Sequence, residues 1–390
     1  MATPAVVVIA FNRPAALERL LAGLRRAHYP AGAQIPLVVS IDYDGSAANQ
    51  AVRDLAQRAD WPHGPKTVIA ARERRGLVAH AFFAWGLAET YESVIVLEDD
   101  LGVAPGYYAY AAQALAAYEH DPRIAGVSLY GLWFNGFTHT PFVPLPDDGD
   151  VFFAAVPFFQ GLAWTRGQWA RFAAWRAQVG AAARPQPGDP VHPLFQRFPD
   201  TDWYPILAKY VAVTGQWVVY PRVGVCAGLG EAGTHFARAT AFFQTPLQRF
   251  ERRYRLPALD DSAAVYDAFF EIQPDRLNRL TDVLAGVEYA VDLYAAKRPA
   301  DLVAPFVLTT RPWRRARRTF GRVLWPMEAN VIEAVPGAEI ALCRPADLEW
   351  GAWADLRARQ RAERYFARGR TPSLRQALLF RLAAWLDRRR

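Results

Sequence analysis

Short apolar runs alternate with helical patterns over the first 130 residues of this chain. Four such runs are rich in valine, isoleucine and leucine, at residues 5–10, 37–41, 67–71 and 93–97. Between the first two runs, leucines recur at the spacing of one helix face. This alternation is typical of α/β folds, in which helices join parallel strands. The sequence therefore predicts an α/β domain with a mostly parallel central sheet flanked by helices.

The fourth apolar run ends in three consecutive carboxylates, Glu98, Asp99 and Asp100. Functional residues of parallel sheets commonly follow the carboxyl ends of the strands. Carboxylates this close raise one another's pKa unless a cation or hydrogen-bond donors offset their charge. Mg²⁺ and Mn²⁺ prefer carboxylate and phosphate oxygens, and they commonly bind through one or two protein acids plus a substrate's phosphates. We therefore expect a divalent-metal site that a diphosphate completes; a solvated acidic loop is the alternative interpretation.

The length of 390 residues exceeds that of a usual single domain. A further strand at 216–220 and a Gly-rich loop after it are assigned to the same domain, so we expect a main domain over residues 1–250 and an extension over 251–390. Helical patterns at 261–296 and 351–368 predict that the extension is largely helical. A hairpin is predicted near 331–343, and an amphipathic helix at 373–387.

Positive charge is concentrated in the C-terminal part of the chain. The 45 basic and 38 acidic residues leave a formal charge of +7, and much of the excess lies in an arginine cluster at 311–318 and in the last eighteen residues. This local excess indicates an anionic partner for the tail, and we expect no nucleic-acid partner. The terminal helix either packs on its own domain or lies on an anionic membrane surface.

The sequence also carries expectations about the protein's compartment. The first apolar run has no basic segment before it, and no apolar stretch approaches the roughly eighteen residues of a transmembrane helix. We therefore expect a cytoplasmic protein, with peripheral contact to the inner face of the membrane as a further expectation. Cys226 and Cys343 lie far apart and are predicted to be reduced core thiols.

Six stretches of the sequence resemble the eukaryotic N-acetylglucosaminyltransferase I family in order and spacing. They cover about residues 4–245 and read VVVIAFNRPAALERLLAGL, IPLVVSIDYDG, LVAHAFFAWGL, VIVLEDDLGVAPGYYAY, DPRIAGVSLYG and FFQGLAWTRGQW. The resemblance implies a GT-A fold, a Rossmann-like sheet that binds a nucleotide-diphosphate sugar. It also implies Mn²⁺ or Mg²⁺ as cofactor and transfer with inversion at the anomeric carbon.

The resemblance assigns donor-site roles to three residues before the acidic triplet. Arg13 of AFNRP and Asp42 of SIDYDG resemble the family's uracil-contacting residues, and His80 resembles a histidine at the donor site. Two departures concern the donor sugar: AFNRP replaces a Cys-Asp pair before the arginine, and GLWFNG replaces a more polar loop. N-acetylglucosamine is therefore one candidate among related sugars.

The remaining acids receive distinct roles from the same resemblance. Glu98 resembles the nucleotide-facing acid, Asp99 the ribose-facing acid, and Asp100 the direct metal ligand. The stretch DTDWYP lies where the family has Asp-Asp-Trp, so Asp202 is the first candidate for the catalytic base and Asp200 the second. Such a base must reach the acceptor hydroxyl. A helix cap is the alternative role for either aspartate.

For one histidine and four aromatic residues, two interpretations stay open. His235 in GEAGTH is a candidate second metal ligand or a structural loop histidine. The aromatic residues Trp133, Phe134, Trp164 and Trp203 either stack on sugar faces or belong to the core.

The sequence thus predicts an inverting, metal-dependent glycosyltransferase. It would move a sugar from a UDP-sugar to a hydroxyl of a glycan, glycolipid or glycoprotein acceptor. The Ala/Arg-rich composition suggests a bacterial enzyme that acts on a surface-polysaccharide precursor or a protein. A sugar-1-phosphate nucleotidyltransferase is the first alternative, but it needs a Gly-rich loop after the first strand, and AFNRPAA has no glycine. A non-catalytic carbohydrate-binding or assembly protein is the second, and it would predict a damaged acidic motif.

Overall fold

The computed structural model describes residues 3–158, 160–231, 238–241 and 243–367. The chain divides into two compact units, the first formed by residues 1–137 and 142–280 and the second by residues 138–141 and 281–390. The helices are α1 Pro14–Arg26, α2 Ala47–Arg58, α3 Leu77–Gly86, α4 Ala88–Tyr91, α5 Tyr107–Tyr118, α6 Arg166–Val179, α7 Tyr204–Val213, α8 Pro274–Asn278, α9 Met327–Ile332 and α10 Ala352–Phe366. Within the described part of the chain, no helix has both the length and the apolar character needed to cross a membrane.

The strands are short and follow the apolar runs of the sequence. In chain order they are β1 Ala5–Ala10, β2 Leu37–Ile41, β3 Lys66–Ala70, β4 Ser93–Glu98, β5 Leu101–Val103, β6 Ile124–Ser128, β7 Phe134–Asn135, β8 Thr140–Pro141, β9 Val151–Ala154, β10 Leu162–Thr165, β11 Trp217–Pro221, β12 Cys226–Gly228, β13 Val265–Tyr266, β14 Tyr289–Asp292, β15 Phe306–Thr309, β16 Arg318–Phe320 and β17 Ile340–Cys343.

The first unit is organised around a mixed sheet with the strand order β13-β9-β11-β6-β10-β4-β1-β2-β3. Neighbours pair in parallel from β4 through β1 and β2 to β3, and again between β6 and β11 and between β9 and β13. Strand β10 runs antiparallel to both β4 and β6, and β9 runs antiparallel to β11. The predicted α/β class with a mostly parallel sheet is confirmed.

The core of this unit follows from the sequence pattern. All six residues of β1 are apolar and buried, which suits a parallel strand covered on both faces. Helix α1 begins with Pro14 in its first turn and buries the one-face set Leu17, Leu20, Leu21 and Leu24. Burial of one such leucine contributes on the order of 2 kcal/mol. Helix α2 is capped by Ser46, whose Oγ accepts from the Asn49 amide at 3.0 Å.

The sheet register brings three strand ends to one edge. Ile9 in β1 pairs with Glu98 in β4, and Ala10 pairs with Ile41 in β2. The loops that follow these strands therefore leave the sheet side by side. After the acidic triplet, β5 forms a two-stranded antiparallel ribbon with β12.

The second unit corrects the prediction for the C-terminal extension. Through residue 367 it contains a sheet with the order β14-β15-β17-β16, so the prediction of a mainly helical extension is wrong for the described residues. The region 261–296, which was predicted to be helical, holds β13, the short helix α8 and β14. Its apolar residues come in runs of two to four with turns between them, a length that favours strands over helices.

Several boundaries in this region also differ from the prediction. The first unit extends to residue 280 rather than 250, because β13 pairs in parallel with β9 of the main sheet. The predicted hairpin near 331–343 is wrong: helix α9 occupies its start, and β17 pairs with β15 and β16. The helical pattern at 351–368 is confirmed by α10. The predicted terminal helix at 373–387 lies outside the described residues.

Both cysteines are buried free thiols, as predicted. Burial raises the pKa of Cys226 above its ordinary value, and the nearby carboxylates of Asp100 and Glu98 raise it further. Burial also raises the pKa of the Cys343 thiol to about 12. Neither thiol has the exposed, electropositive surroundings of a reactive cysteine.

Candidate active site

The acidic triplet lies at the carboxyl end of β4, where the sequence placed it. Glu98 is the last residue of the strand, and Asp99 and Asp100 form the turn into β5. Burial raises the pKa of Glu98 to about 8, and the charges of Asp100 and Asp99 add to this shift. Burial also raises the pKa of Asp99 to about 6, although the Arg13 charge opposes the shift. Asp100 is the more accessible aspartate, with 32% of its side chain exposed against 3% for Asp99.

Arg13 is the counter-ion of this cluster. It stands in the loop between β1 and α1, and its Nη1 donates to Asp100 Oδ2 at 3.0 Å. Its Nη2 donates to Asp99 Oδ1. The guanidinium thus spans two of the three acids and supplies the hydrogen-bond donors that adjacent carboxylates require. The structure brings Arg13 to the triplet itself, and its role at a uracil ring stays a prediction.

Asp42 anchors the loop that precedes α3. It directly follows β2, and its Oδ1 accepts from the amides of Tyr43 at 2.9 Å and Arg75 at 2.8 Å. Its Oδ2 accepts from the amide of Gly76 at 3.0 Å. Gly76 has φ +80°, a left-handed conformation that favours glycine. Asp42 thus holds this loop beside the carboxyl ends of β1 and β2, where the donor nucleotide is predicted to bind.

His80 is buried beneath the same edge. Its Nε2 lies 2.8 Å from the Oγ of Ser40, a residue of β2. Burial lowers the pKa of His80 to about 4, with the Asp42 charge opposing the shift, so the imidazole is neutral at pH 7. Because of this contact, His80 supports the strand that carries Asp42.

The structure separates the two candidates for the catalytic base. Asp202 is buried just before α7, and its Oδ1 accepts from the Tyr204 amide at 2.9 Å. Its charge contributes to the raised pKa of Glu98, which places it in the electrostatic environment of the triplet. Asp200 points to solvent with 93% of its side chain exposed, and it pairs with Arg184 Nε at 3.0 Å. Of the two, only Asp202 is brought to the site.

A small pocket joins the triplet to the α7 region. Glu98 and Trp203 line it, together with the apolar side chains of Ile9, Trp85, Val96 and Leu162. The rings of Trp85 and Trp203 meet edge to face with centroids 4.5 Å apart. Trp164 and Trp203 are each 3% exposed, so these two predicted stacking residues belong to the core. Trp133 is 41% exposed, and Phe134 is half-buried.

Gln160 is a site residue that the sequence did not identify. Its Oε1 accepts from the Gly228 amide at 2.8 Å, and the next amide, that of Leu229, donates to the Asp100 carbonyl at 3.1 Å. These bonds hold the β5–β12 ribbon against the strand that carries the triplet. No local pattern marks Gln160, because its partner lies 68 positions later in the chain.

A second missed contact joins the loops after β1 and β2. Asn12 Nδ2 donates to Asp44 Oδ2 at 2.8 Å. Asp44 is the second acid of the SIDYDG stretch, so the spacing of its two aspartates was the available signal. The contact fixes the loop that also carries Arg13.

The donor set fits a divalent cation that takes most of its ligands from a substrate. Across the described ranges, no group of three or more His, Cys, Asp or Glu side chains is arranged to hold a metal ion. Asp100 uses Oδ2 for Arg13 and is accessible, so it suits Mn²⁺ or Mg²⁺ bound through one protein acid plus diphosphate oxygens. His235, the other predicted ligand, lies outside the described residues.

Comparison with known protein families tests the resemblance noted from the motifs. Residues 1–173 match the GNT-I family. The predicted resemblance to the N-acetylglucosaminyltransferase I family is confirmed over these residues, which include the acidic triplet but not Asp202. The alpha-1,3-mannosyl-glycoprotein 2-beta-N-acetylglucosaminyltransferase of Arabidopsis thaliana is 26% identical over 176 residues. The match covers 42% of this chain and 37% of that protein, so the chain spans little more than a third of that relative.

Solved structures of several transferases are loosely similar. One is the mannosyltransferase PcManGT from Pyrobaculum calidifontis, solved with GDP-Man and Mn²⁺. It is 20% identical with a TM-score of 0.36, and the match covers 60% of this chain and 59% of the PcManGT chain. GalNAc-T7, solved with UDP, GalNAc and Mn²⁺, is 12% identical with a TM-score of 0.37 and covers 56% of this chain and 43% of its own. At TM-scores this low, the likeness carries no argument about the site.

Proposed function

We propose that this protein is an inverting, metal-dependent glycosyltransferase of the GNT-I type that uses a UDP-sugar. The observation that supports this most is the accessible Asp100 beside the half-buried Glu98 and the buried Asp99, at the end of β4. This arrangement provides one carboxylate for a cation within a network that Arg13 stabilises. N-acetylglucosamine is the first sugar to test, because it is the sugar named for the Arabidopsis relative.

The proposed reaction needs a cation at the diphosphate and a base at the acceptor hydroxyl. A bound Mn²⁺ or Mg²⁺ would neutralise charge on the departing diphosphate. Asp202 accepts the proton of the acceptor hydroxyl, whose oxygen forms the new bond to the anomeric carbon. The bond between that carbon and the diphosphate oxygen breaks on the opposite face, and its electron pair leaves with UDP. In the metal-free protein, burial raises the pKa of Glu98 to about 8, and a protonated Glu98 limits the repulsion within the triplet before the cation binds.

Calorimetric titration with UDP, with and without Mn²⁺, tests the proposal. We expect UDP binding that Mn²⁺ strengthens in the wild type and that no longer responds to Mn²⁺ in Asp100→Ala. Failure of UDP, GDP and other nucleoside diphosphates to bind would refute the proposed function. A nucleotidyltransferase would instead form nucleotide-sugar from UTP and a sugar phosphate, so the same samples are assayed for that product.

The base assignment has a matched control in the neighbouring aspartate. Asp202→Asn keeps an oxygen for the Tyr204 amide but cannot accept a proton, so we expect donor binding to persist and transfer to fall by about 100-fold or more. The control Asp200→Asn, at the exposed aspartate, should transfer normally. Loss of transfer in the control with normal transfer in Asp202→Asn would reverse the assignment.

The compartment and the acceptor are proposals as well. We infer that the enzyme is cytoplasmic and that its arginine-rich tail contacts an anionic membrane surface. We further propose that its acceptor is a surface-polysaccharide precursor or a glycoprotein. Sedimentation with vesicles of anionic or neutral lipid tests this. The full chain should bind anionic vesicles, and the chain without residues 373–390 should bind them less. Equal binding of both chains would dispose of the membrane role.

A further inference from the structure

One tryptophan is exposed at the edge of the sheet that carries the site. Most tryptophans near the triplet are buried, among them Trp85, Trp164 and Trp203. Trp133 differs, because 41% of it is exposed in the loop after β6. Aromatic side chains commonly line ligand-binding sites, next to a few polar groups that orient the ligand.

The Trp133 loop lies at the same edge as the triplet. Strands β4 and β6 run in the same direction, since both pair antiparallel with β10. Their carboxyl ends therefore share one edge, with β10 between them. At a strand spacing of about 4.8 Å, the end of β6 lies about 10 Å along the sheet from the end of β4. The Trp133 indole reaches the Arg222 carbonyl just past β11, the next strand, and so lies about 14 Å from the end of β4. This side is opposite to β1 and β2, where Arg13 and Asp42 are placed.

The Trp133 indole is held in place before any ligand arrives. Its Nε1 donates to the Arg222 carbonyl at 2.7 Å, and its own carbonyl accepts from the Phe142 amide at 2.9 Å. Gly131 fixes the start of the loop, because a Cβ there would lie 2.6 Å from the Gly224 amide nitrogen. A rigid aromatic ring loses little conformational entropy when it binds a ligand.

We propose that Trp133 is a stacking platform for a pyranose ring of the acceptor. This inference rests on the proposed function, since it assigns the acceptor side of the same site. The indole N–H is already used by the Arg222 carbonyl, so the ring face is what the side chain offers. The C–H face of a pyranose packs on such a surface, while its hydroxyls stay hydrated or bind polar groups. The substrate class is therefore a saccharide with its reactive hydroxyl directed toward the β4 end of the edge.

Saccharide binding is measured first, by saturation-transfer NMR with UDP and the diamagnetic Mg²⁺ present. The probes are methyl glycosides of mannose, galactose, glucose, rhamnose and N-acetylglucosamine. We expect at least one probe to bind the wild type, and Trp133→Ala to weaken it by at least about fivefold, as loss of one aromatic stacking contact predicts. Trp133→Phe keeps a flat ring and should restore much of the binding. The control Trp353→Ala removes a tryptophan that is 79% exposed in the second unit and should bind like the wild type.

Kinetics separate a platform from a structural role. With the probe that binds, Trp133→Ala should raise the acceptor KM by about fivefold to tenfold with little change in kcat or in the KM for the UDP-sugar. Equal probe binding by Trp133→Ala and the wild type, or a wild type that binds UDP but none of the glycosides, overturns the platform. A fall in kcat and in UDP affinity without a change in acceptor KM also overturns it. Failure of the wild type to bind UDP refutes the proposed function itself, so the two failures are distinguishable.

Discussion

At the scale of single residues, the site is defined by how one cation offsets neighbouring acids. Arg13 contacts both Asp99 and Asp100, and Asp100 is also the carboxylate that suits a divalent metal. The guanidinium and a metal ion would therefore compete for the same negative charge. Removing the positive charge should favour metal binding even before a nucleotide is present.

The first prediction concerns this competition. We expect Arg13→Gln to bind Mn²⁺ about fivefold more tightly than the wild type in the absence of nucleotide, because a repelling charge is lost. Arg13→Lys keeps the charge and is the matched control. The affinity is measured by electron paramagnetic resonance of free Mn²⁺. An affinity that is unchanged or weaker in Arg13→Gln contradicts this role of the guanidinium.

The second prediction concerns pH and Glu98. Burial raises the pKa of this carboxyl from 4.5 to about 8. A carboxyl with a raised folded pKa contributes stability below its unfolded pKa and loses it as the pH rises through the folded pKa. In metal-free buffer we therefore expect the Glu98 contribution to the free energy of unfolding to decrease as the pH rises from about 5 to about 8. Glu98→Gln should remove this part of the slope in thermal unfolding, and identical slopes in both proteins would count against it.

At the scale of elements, the β5–β12 ribbon depends on contacts between distant segments. Gly228 lies against Gln160, and a Cβ at this glycine would come within 2.7 Å of Gln160 Nε2. Two consecutive amides of the ribbon are hydrogen-bonded to Gln160 and to the Asp100 carbonyl. The position of the turn that carries Asp100 is thus coupled to this packing.

The third prediction tests that coupling with a double-mutant cycle. Gly228→Ala should destabilise the protein by about 1–3 kcal/mol through overpacking. In the double variant with Gln160→Ala, the added methyl group has space. The double variant should therefore be destabilised by less than the sum of the two single variants. Urea unfolding measures each free energy. Strict additivity would show that the two positions act independently.

At the scale of the whole molecule, the chain contains two units, each with its own sheet. The first carries the candidate site. The second contains a buried ion pair, in which Arg311 Nε donates to Asp292 Oδ2 at 2.9 Å and both side chains are at most 7% exposed. Burial raises the pKa of Asp292, and the Arg311 charge opposes the shift.

The fourth prediction belongs to this second unit. Arg311→Met removes the cation that is hydrogen-bonded to the buried Asp292 carboxylate and leaves only the Lys297 charge to offset it, which should cost about 3 kcal/mol of unfolding free energy. The control Arg317→Met changes an exposed arginine and should have little effect. Intrinsic fluorescence during urea unfolding reports the difference. Equal stability of the two variants would contradict a structural role for the pair.

The sequence by itself determined the parts of this protein that depend on local pattern. Runs of β-branched residues alternating with one-face leucines specify strands and helices, so the parallel sheet and the triplet at the end of β4 were predictable. Connected motifs such as VLEDDLGVAPGYY were enough to predict the family resemblance. In the extension, short apolar segments carried no decisive period, so the helical prediction for residues 261–296 was wrong, whereas the one for 351–368 was confirmed by α10.

The tertiary structure decided what depends on contacts between distant residues. It showed that Arg13 bridges Asp99 and Asp100, and that Asp202 is buried just before α7 whereas Asp200 is exposed. The role of Gln160 is recognised only from the hydrogen bond that the Gly228 amide donates to it. Charge, burial and hydrogen-bond partners arise when separate strands and loops meet, and these set the pKa of each acid. A linear pattern names the residue types at a site, but only their packing assigns each residue its surroundings.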